Sequence, residues 1–121
     1  MGGELKDVKE LTAWRCAVQL CWAVYLASRK LPPTERFGLT AQMRRAAVSI
    51  PSNLAEGYGR GTRKDYRQFV WIARGSACEL ETQIIIAREL CFLDEPTSAA
   101  LTEEVQRVLQ LLSGLARSLS S

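Results

Sequence analysis

Not one histidine occurs among the 121 residues. That absence removes the imidazole base of serine–histidine triads and any histidine-ligated metal site. The four cysteines, Cys16, Cys21, Cys78 and Cys91, form no Cys-x-x-Cys pair that would take its place. The acidic pairs Glu79/Glu81 and Glu103/Glu104 lack the Glu-x-x-His pattern of di-iron bundles. Gly57, Gly59 and Gly61 are not followed by Gly-Lys-Ser or Gly-Lys-Thr, so they read as a turn and not as a phosphate loop. No catalytic residue, metal, cofactor or small-molecule substrate is expected. The chain reads as a non-enzyme.

Long apolar runs are missing as well. No stretch approaches the ~18 uninterrupted apolar residues of a membrane span. The N-terminus carries Glu4 and Asp7 and no apolar segment of signal-peptide type. A cytoplasmic protein with no membrane partner is therefore expected. In that reducing compartment the cysteines read as buried structural thiols, with Cys21 and Cys91 on apolar stripes. No segment alternates with the period of a strand. What remains is an ordinary globular composition, 47% apolar and 24% charged, in a chain long enough for one core but not two. Residues 1–121 are taken as a single domain.

Four helical patterns are present. The first covers residues 11–31, with Leu11, Trp14, Val18, Cys21 and Tyr25 as its apolar stripe and Pro32 and Pro33 closing it. The second covers 38–57, with Leu39, Met43, Ala46, Ile50 and Leu54 on one face. Pro51 lies inside it, where a missing amide and a ring pressed on the Ala47 carbonyl predict a kink that Ser49, Ser52 and Asn53 can help to satisfy. Gly57, Gly59 and Gly61 end that helix and offer positive φ for the turn. The third pattern, 62–91, carries a heptad seam from Tyr66 through Val70, Ala73, Ala77, Leu80, Ile84 and Ala87 to Cys91. The fourth, 96–119, follows Asp94 as N-cap and Pro96 in the first turn, with a stripe from Leu101 to Leu119. Short connections force sequential helices to be neighbours. The fold class is all-α: an antiparallel up-down-up-down four-helix bundle with a proline kink in helix two.

Helix three has more apolar surface than one core needs. Phe69, Ile72 and Ile86, with Ile85 and Leu90, form a second stripe, either a widened core or an interface with another chain. Gly75 and Ser76 sit mid-helix, where glycine costs about 1 kcal/mol relative to alanine. Close approach of a neighbouring helix, in this chain or in another copy, accounts for them.

Several of these residues carry a resemblance. Leu11 and Trp14 open it; Gly38, Leu39, Gln42, Arg44, Arg45 and Ala46 continue it. Ser49, Ile50, Pro51, Asn53, Ala55, Glu56 and Gly57 follow, then Gly75, Ser76, Glu79, Leu80, Glu81, Thr82 and Gln83. In this order they resemble the motifs of bacterial four-helix-bundle proteins encoded within intervening sequences of large-subunit ribosomal RNA genes. That family is related to the accessory variability proteins of diversity-generating retroelements. The resemblance implies the bundle fold and assembly with copies of itself into a closed pentameric ring. It also implies RNA or DNA, and a reverse transcriptase or other protein, as possible partners.

Charge is uneven along the chain. Residues 44–74 hold seven basic side chains against two acidic ones, and residues 75–121 hold three against seven. Such opposition suits a head-to-tail ring, or else leaves a basic surface for phosphate. The tightest cluster is Arg60, Arg63, Lys64 and Arg67 at the turn into helix three, with Tyr58 and Tyr66 beside it as candidate stacking platforms. The up-down-up-down order places Lys6, Lys9 and Arg117 at the same end. The cluster reads either as a nucleic-acid site or as a solvated helix start. Arg44 and Arg45, which the motif groups with Asn53, Glu56, Glu79 and Glu81, read as an interhelical polar network that sets register. Two functions stay open: a nucleic-acid-associated accessory oligomer, and a protein–protein scaffold with no nucleic-acid role.

Overall fold

The computed structural model describes residues 8–120, with side chains from residue 10 onward. Four helices follow in order: α1, Val8–Ser28; α2, Leu39–Gly59; α3, Arg63–Glu89; and α4, Glu95–Ser118. A single 3-10 turn, Pro33–Glu35, lies in the α1–α2 connection. Each helix packs on the two next to it around a square, α1 on α2 and α4, and α3 on α2 and α4, and among the described residues no backbones come close across a diagonal. No strand occurs among the described residues. This is the all-α four-helix bundle that the periodicity predicts.

Local chemistry sets the boundaries. Thr62 Oγ1 accepts from the Asp65 amide at 3.1 Å and caps α3. Asp94 Oδ1 accepts from the Thr97 amide at 2.9 Å and caps α4. The start of α2 has no side-chain cap from its own N-cap residue, Gly38; instead Glu35 Oε1 accepts from the Leu39 amide at 3.0 Å. A Cβ on Gly38 would meet that carboxylate at 2.8 Å, so the glycine makes room for the cap. Helix α3 ends in a Schellman turn: Phe92 donates to the Ala87 carbonyl at 2.8 Å and Cys91 to that of Arg88 at 2.9 Å. Cys91 occupies the left-handed position of this turn, with φ of 62°.

The glycines at the α2–α3 corner divide by role. Only Gly61 has positive φ, 87°; Gly57 and Gly59 are helical. A Cβ on Gly57 would lie 2.5 Å from Phe69 Cβ, so the glycine lets α2 and α3 approach closely at this level. Gly75 has nothing within 4 Å of its Cβ direction, so no helix of this chain requires a glycine there. Helix α2 runs continuously through Pro51, and Asn53 Nδ2 donates to the Ser49 carbonyl at 2.8 Å, two residues beyond the Ala47 carbonyl that the proline leaves without a donor.

The cores of α2, α3 and α4 follow their predicted stripes. Met43, Ala46, Ile50 and Leu54 are buried, as are Tyr66 through Ala87 of the seam and Leu101, Val105, Val108, Leu112 and Leu115. Helix α1 is different. Its buried face is Ala13, Ala17, Leu20, Val24 and Ala27, while Leu11, Trp14, Val18 and Tyr25 are exposed and Cys21 is half-buried. The two stripes share one period, and the small one faces in because alanines let α1 pack closely on α2 and α4. The large side chains are left outside. The cysteines depart from expectation too: Cys16 and Cys21 are half-buried, Cys78 and Cys91 are exposed, and all four are free. Cys91 falls off the seam because α3 has already turned at Leu90.

Candidate functional site

The α2–α3 corner brings the predicted basic cluster to one end of the bundle, where it also meets the start of α1 and the end of α4. Its members differ in what they do. Arg60 Nη2 pairs with Glu56 Oε2 at 3.0 Å, and its guanidinium lies over the Phe69 ring at 4.9 Å. Arg63 Nη2 donates to the Ser118 carbonyl at 2.8 Å. It thereby sets a cation against the negative end of the α4 dipole. Lys64 and Arg67 are exposed and make no hydrogen bond or ion pair with a described residue. Arg117 is exposed in the last turn of α4. Lys6 and the Lys9 side chain lie outside the described residues.

The two tyrosines have separate fates. Tyr66 is buried in the core and its hydroxyl reaches Glu10 Oε1 at 3.5 Å, so it offers no face for stacking. Tyr58 packs edge-on against it, with ring centroids 5.9 Å apart, and stays partly exposed. Beside Tyr58 a cavity of about 430 Å³ opens between α1 and α2, walled by Leu11, Trp14, Leu54 and Ala55 with Glu10 at its edge. Its lining is almost wholly apolar, which the sequence pattern misses because Leu11 and Trp14 read as core.

The six residues expected to form one polar network are split between separate sets of contacts. Arg44 turns toward α1: Nε donates to Ser28 Oγ at 2.8 Å, Nη2 to the Tyr25 carbonyl at 3.4 Å, and the guanidinium stacks on the Tyr25 ring at 4.6 Å. Helix α1 has no basic residue in its own last turn, so Arg44 supplies the cation from α2. Arg45, one residue and about 100° further round, is exposed and has no partner among the described residues. Asn53 Nδ2 also reaches Ser49 Oγ at 2.9 Å, and Ser49 shares a 2.8 Å hydrogen bond with Ser76 across α2 and α3. Ser76 therefore earns its mid-helix place as a polar contact between helices. Glu56 is taken by Arg60; Glu81 accepts from Gln106 Nε2 at 3.4 Å; Glu79 is exposed and unpaired. Ser28, the partner of Arg44, is a polar residue that pattern reading overlooks. Gln83 is buried on α3, and its Oε1 has no hydrogen-bond partner.

Two apolar faces flank these polar features. On α1 they comprise Trp14, Val18, Trp22 and Tyr25, joined by Val48 of α2; Trp22 is the most open, at 69%. On α3 the face comprises Trp71, Ile72, Ile85 and Ile86, with Leu90 at its end. Of the predicted interface residues, Ile72 and Ile86 stand on this surface, whereas Phe69 is half-buried beneath Arg60 and against Gly57. The α3 stripe is thus an outer surface and not a widened core.

Among the described residues there is no group of His, Cys, Asp and Glu able to hold a metal ion, and no helix is long and apolar enough to cross a membrane. Burial pushes the Cys21 thiol up, which disfavours the reactive thiolate. Burial and the neighbouring Glu103 charge push Glu104 up, while the hydrogen bonds from Thr97 hold Asp94 down.

No curated protein matches the chain significantly. Among solved structures, a protein of unknown function from the S23 ribosomal protein family of Bacteroides thetaiotaomicron is similar in fold, with a TM-score of 0.83 at 16% identity over 90% of this chain and 98% of that one. The family described as 23S rRNA-intervening sequence protein matches residues 9–114, a span that contains all four helices except the edges of α1 and α4. On that match the chain belongs to the 23S rRNA-intervening sequence protein family.

Proposed function

We propose that this protein is a cytoplasmic, non-enzymatic accessory protein that assembles with copies of itself and holds nucleic acid at its basic end. The observation that carries the reading is the pair of exposed apolar faces on diagonal helices. The Trp14–Tyr25 face and the Trp71–Ile86 face are both exposed and lie on helices with no close backbone approach to each other, so one copy offers two separate apolar surfaces. Surfaces so placed meet head-to-tail, the α1 face of one copy on the α3 face of the next. Such a heterologous contact closes into a ring when its rotation allows, a pentamer by family resemblance. Burying side chains as large as Trp22 and Trp71 between copies removes the apolar area that a lone bundle leaves in water.

Nucleic acid would be held by Lys64 and Arg67, which have no partner among the described residues, with Arg63 and Arg117 beside them, and by the accessible ring of Tyr58. A ring multiplies this cluster, so weak contacts add. A further protein, such as a reverse transcriptase, would use the same assembled platform. The scaffold reading without nucleic acid draws on Arg60 and Arg63, both of which spend their charge inside the chain.

Light scattering behind a sizing column tests assembly, and gel-shift titrations with single-stranded RNA and DNA at two salt concentrations test binding. The expected result is a discrete oligomer that binds both, with affinity falling steeply as salt rises. Trp22→Glu should dissociate it. A monomer of 13.5 kDa at micromolar concentration would refute the assembly. An assembled protein that binds nothing at low salt would leave the scaffold reading alone.

A further inference from the structure

Arg45 was expected in an internal network and has no partner there; the groove it borders is positive and unfilled. We propose that this groove, on the outer side of α2 and about 610 Å³ in volume, is a binding site for a phosphate group held by Arg44, Arg45 and Ser52.

Arg44 is already fixed by Ser28, the Tyr25 carbonyl and the Tyr25 ring. Its Nε and Nη2 are engaged with α1, and the residue lines the groove. A guanidinium held this way loses little freedom when an anion arrives. Arg45 contributes a complete, unengaged fork, the geometry that grips phosphate through paired hydrogen bonds. Ser52 is exposed, and its hydroxyl makes no hydrogen bond with a described residue. Glu56, the acid on the rim, is neutralised by Arg60 at 3.0 Å, so the groove carries net positive charge. The carboxylates that might have answered Arg45 do not: Glu81 bonds Gln106 and Glu79 makes no bond with it. Asn53 spends its amide on Ser49, which leaves the anion contacts to the arginines and Ser52.

The site is separate from the basic end of the bundle. Fifteen positions divide Arg45 from Arg60 on one helix, which is about 22 Å at 1.5 Å per residue. The phosphate could belong to a free polyphosphate or to a nucleic-acid backbone, and two titrants distinguish these sources.

Calorimetric titration of the whole chain with inorganic pyrophosphate, and separately with a short oligouridylate, tests the site. Saturable pyrophosphate binding is expected, weakened about tenfold or more by Arg45→Gln through loss of a charged hydrogen-bonding partner. Arg45 makes no hydrogen bond or ion pair with a described residue, so this variant should fold as the parent does. Arg63→Gln with Arg67→Gln should leave pyrophosphate binding unchanged. If Arg45→Gln weakens the oligouridylate as well, the occupant is a backbone phosphate; if it weakens pyrophosphate alone, the occupant is a free anion. Absence of saturable pyrophosphate binding, or binding indifferent to Arg45→Gln, would overturn the proposal. Oligouridylate binding lost only in the Arg63/Arg67 variant would at the same time leave the basic-end reading standing.

Discussion

Three glycines in helices should respond to alanine with opposite signs, and the structure sets the sizes. A Cβ on Gly57 would sit 2.5 Å from Phe69 Cβ and 3.2 Å from both Phe69 Cγ and Tyr66 Cδ1. Carbon atoms pack at roughly 3.5–4.0 Å, so α2 and α3 must part by about 1 Å at this level. Phe69 Cβ is bonded to the α3 backbone, so no change of rotamer relieves the contact. Overpacking of this kind costs about 1–3 kcal/mol, against which the better helix propensity of alanine returns up to about 1 kcal/mol. The net expectation for Gly57→Ala is a loss of about 1–2 kcal/mol. Gly59 and Gly75 have nothing within 4 Å of a Cβ, so only the propensity applies. Each alanine there should stabilise by about 0.5–1 kcal/mol, less at Gly59 because it is the last residue of α2. In a chain of this length 1 kcal/mol moves Tm by about 3–6 °C. Thermal melts followed by circular dichroism at one protein concentration would show the three shifts. A Gly57→Ala variant as stable as the parent would refute the close approach. Gly75 adds a second outcome: destabilisation there, with a fall in assembled mass, would mean that another copy closes on α3 at the point this chain leaves open.

Two further perturbations follow from the helix ends. Cys91 holds a left-handed conformation, φ of 62°, at a position that favours glycine; Cys91→Gly should raise stability by about 1 kcal/mol in the same melts, and Cys91→Val should lower it. Asp94 has its carboxyl held below the ordinary value of 3.8 by the hydrogen bonds from Thr97, so the charged form favours the folded state; that contribution is present above the ordinary value and is lost as the pH falls through and below it. Asp94→Asn keeps a capping oxygen without a charge, so its acid unfolding should depend less on pH in that window; an identical pH profile would show that the cap charge contributes nothing.

The fold was legible because two helices give only one answer and a third gives a clear one. In α2 and α4 a single stripe of large side chains has the helical period, and in α3 the heptad seam runs the length of the helix beside a shorter second stripe that stays outside. Turn chemistry was legible at α4: Asp94 and Pro96 have few other uses at the start of a helix. The Glu35 cap was not, because it depends on a 3-10 turn folding a carboxylate back over Gly38. The polar residues were harder still. Arg44 and Arg45 are adjacent in sequence, yet one closes the end of α1 and the other faces outward; only the rotation of α2 about its axis, set by packing, decides which.

Helix α1 shows why periodicity alone misleads. It carries two stripes of equal period, Leu11–Trp14–Val18–Tyr25 and Ala13–Ala17–Leu20–Val24–Ala27, and ranking by bulk selects the wrong one. The folded chain selects by fit: with α2 and α4 supplying Leu54, Met43 and Leu112, the core has room for alanine and not for tryptophan. A protein working alone would gain by replacing Trp14 and Trp22 with polar residues, since exposed apolar area invites association. Their exposure on an outer face, together with a second apolar face on α3, is therefore the physical basis for proposing another copy there. The same surface that defeats a pattern reading of the core is the strongest argument for assembly.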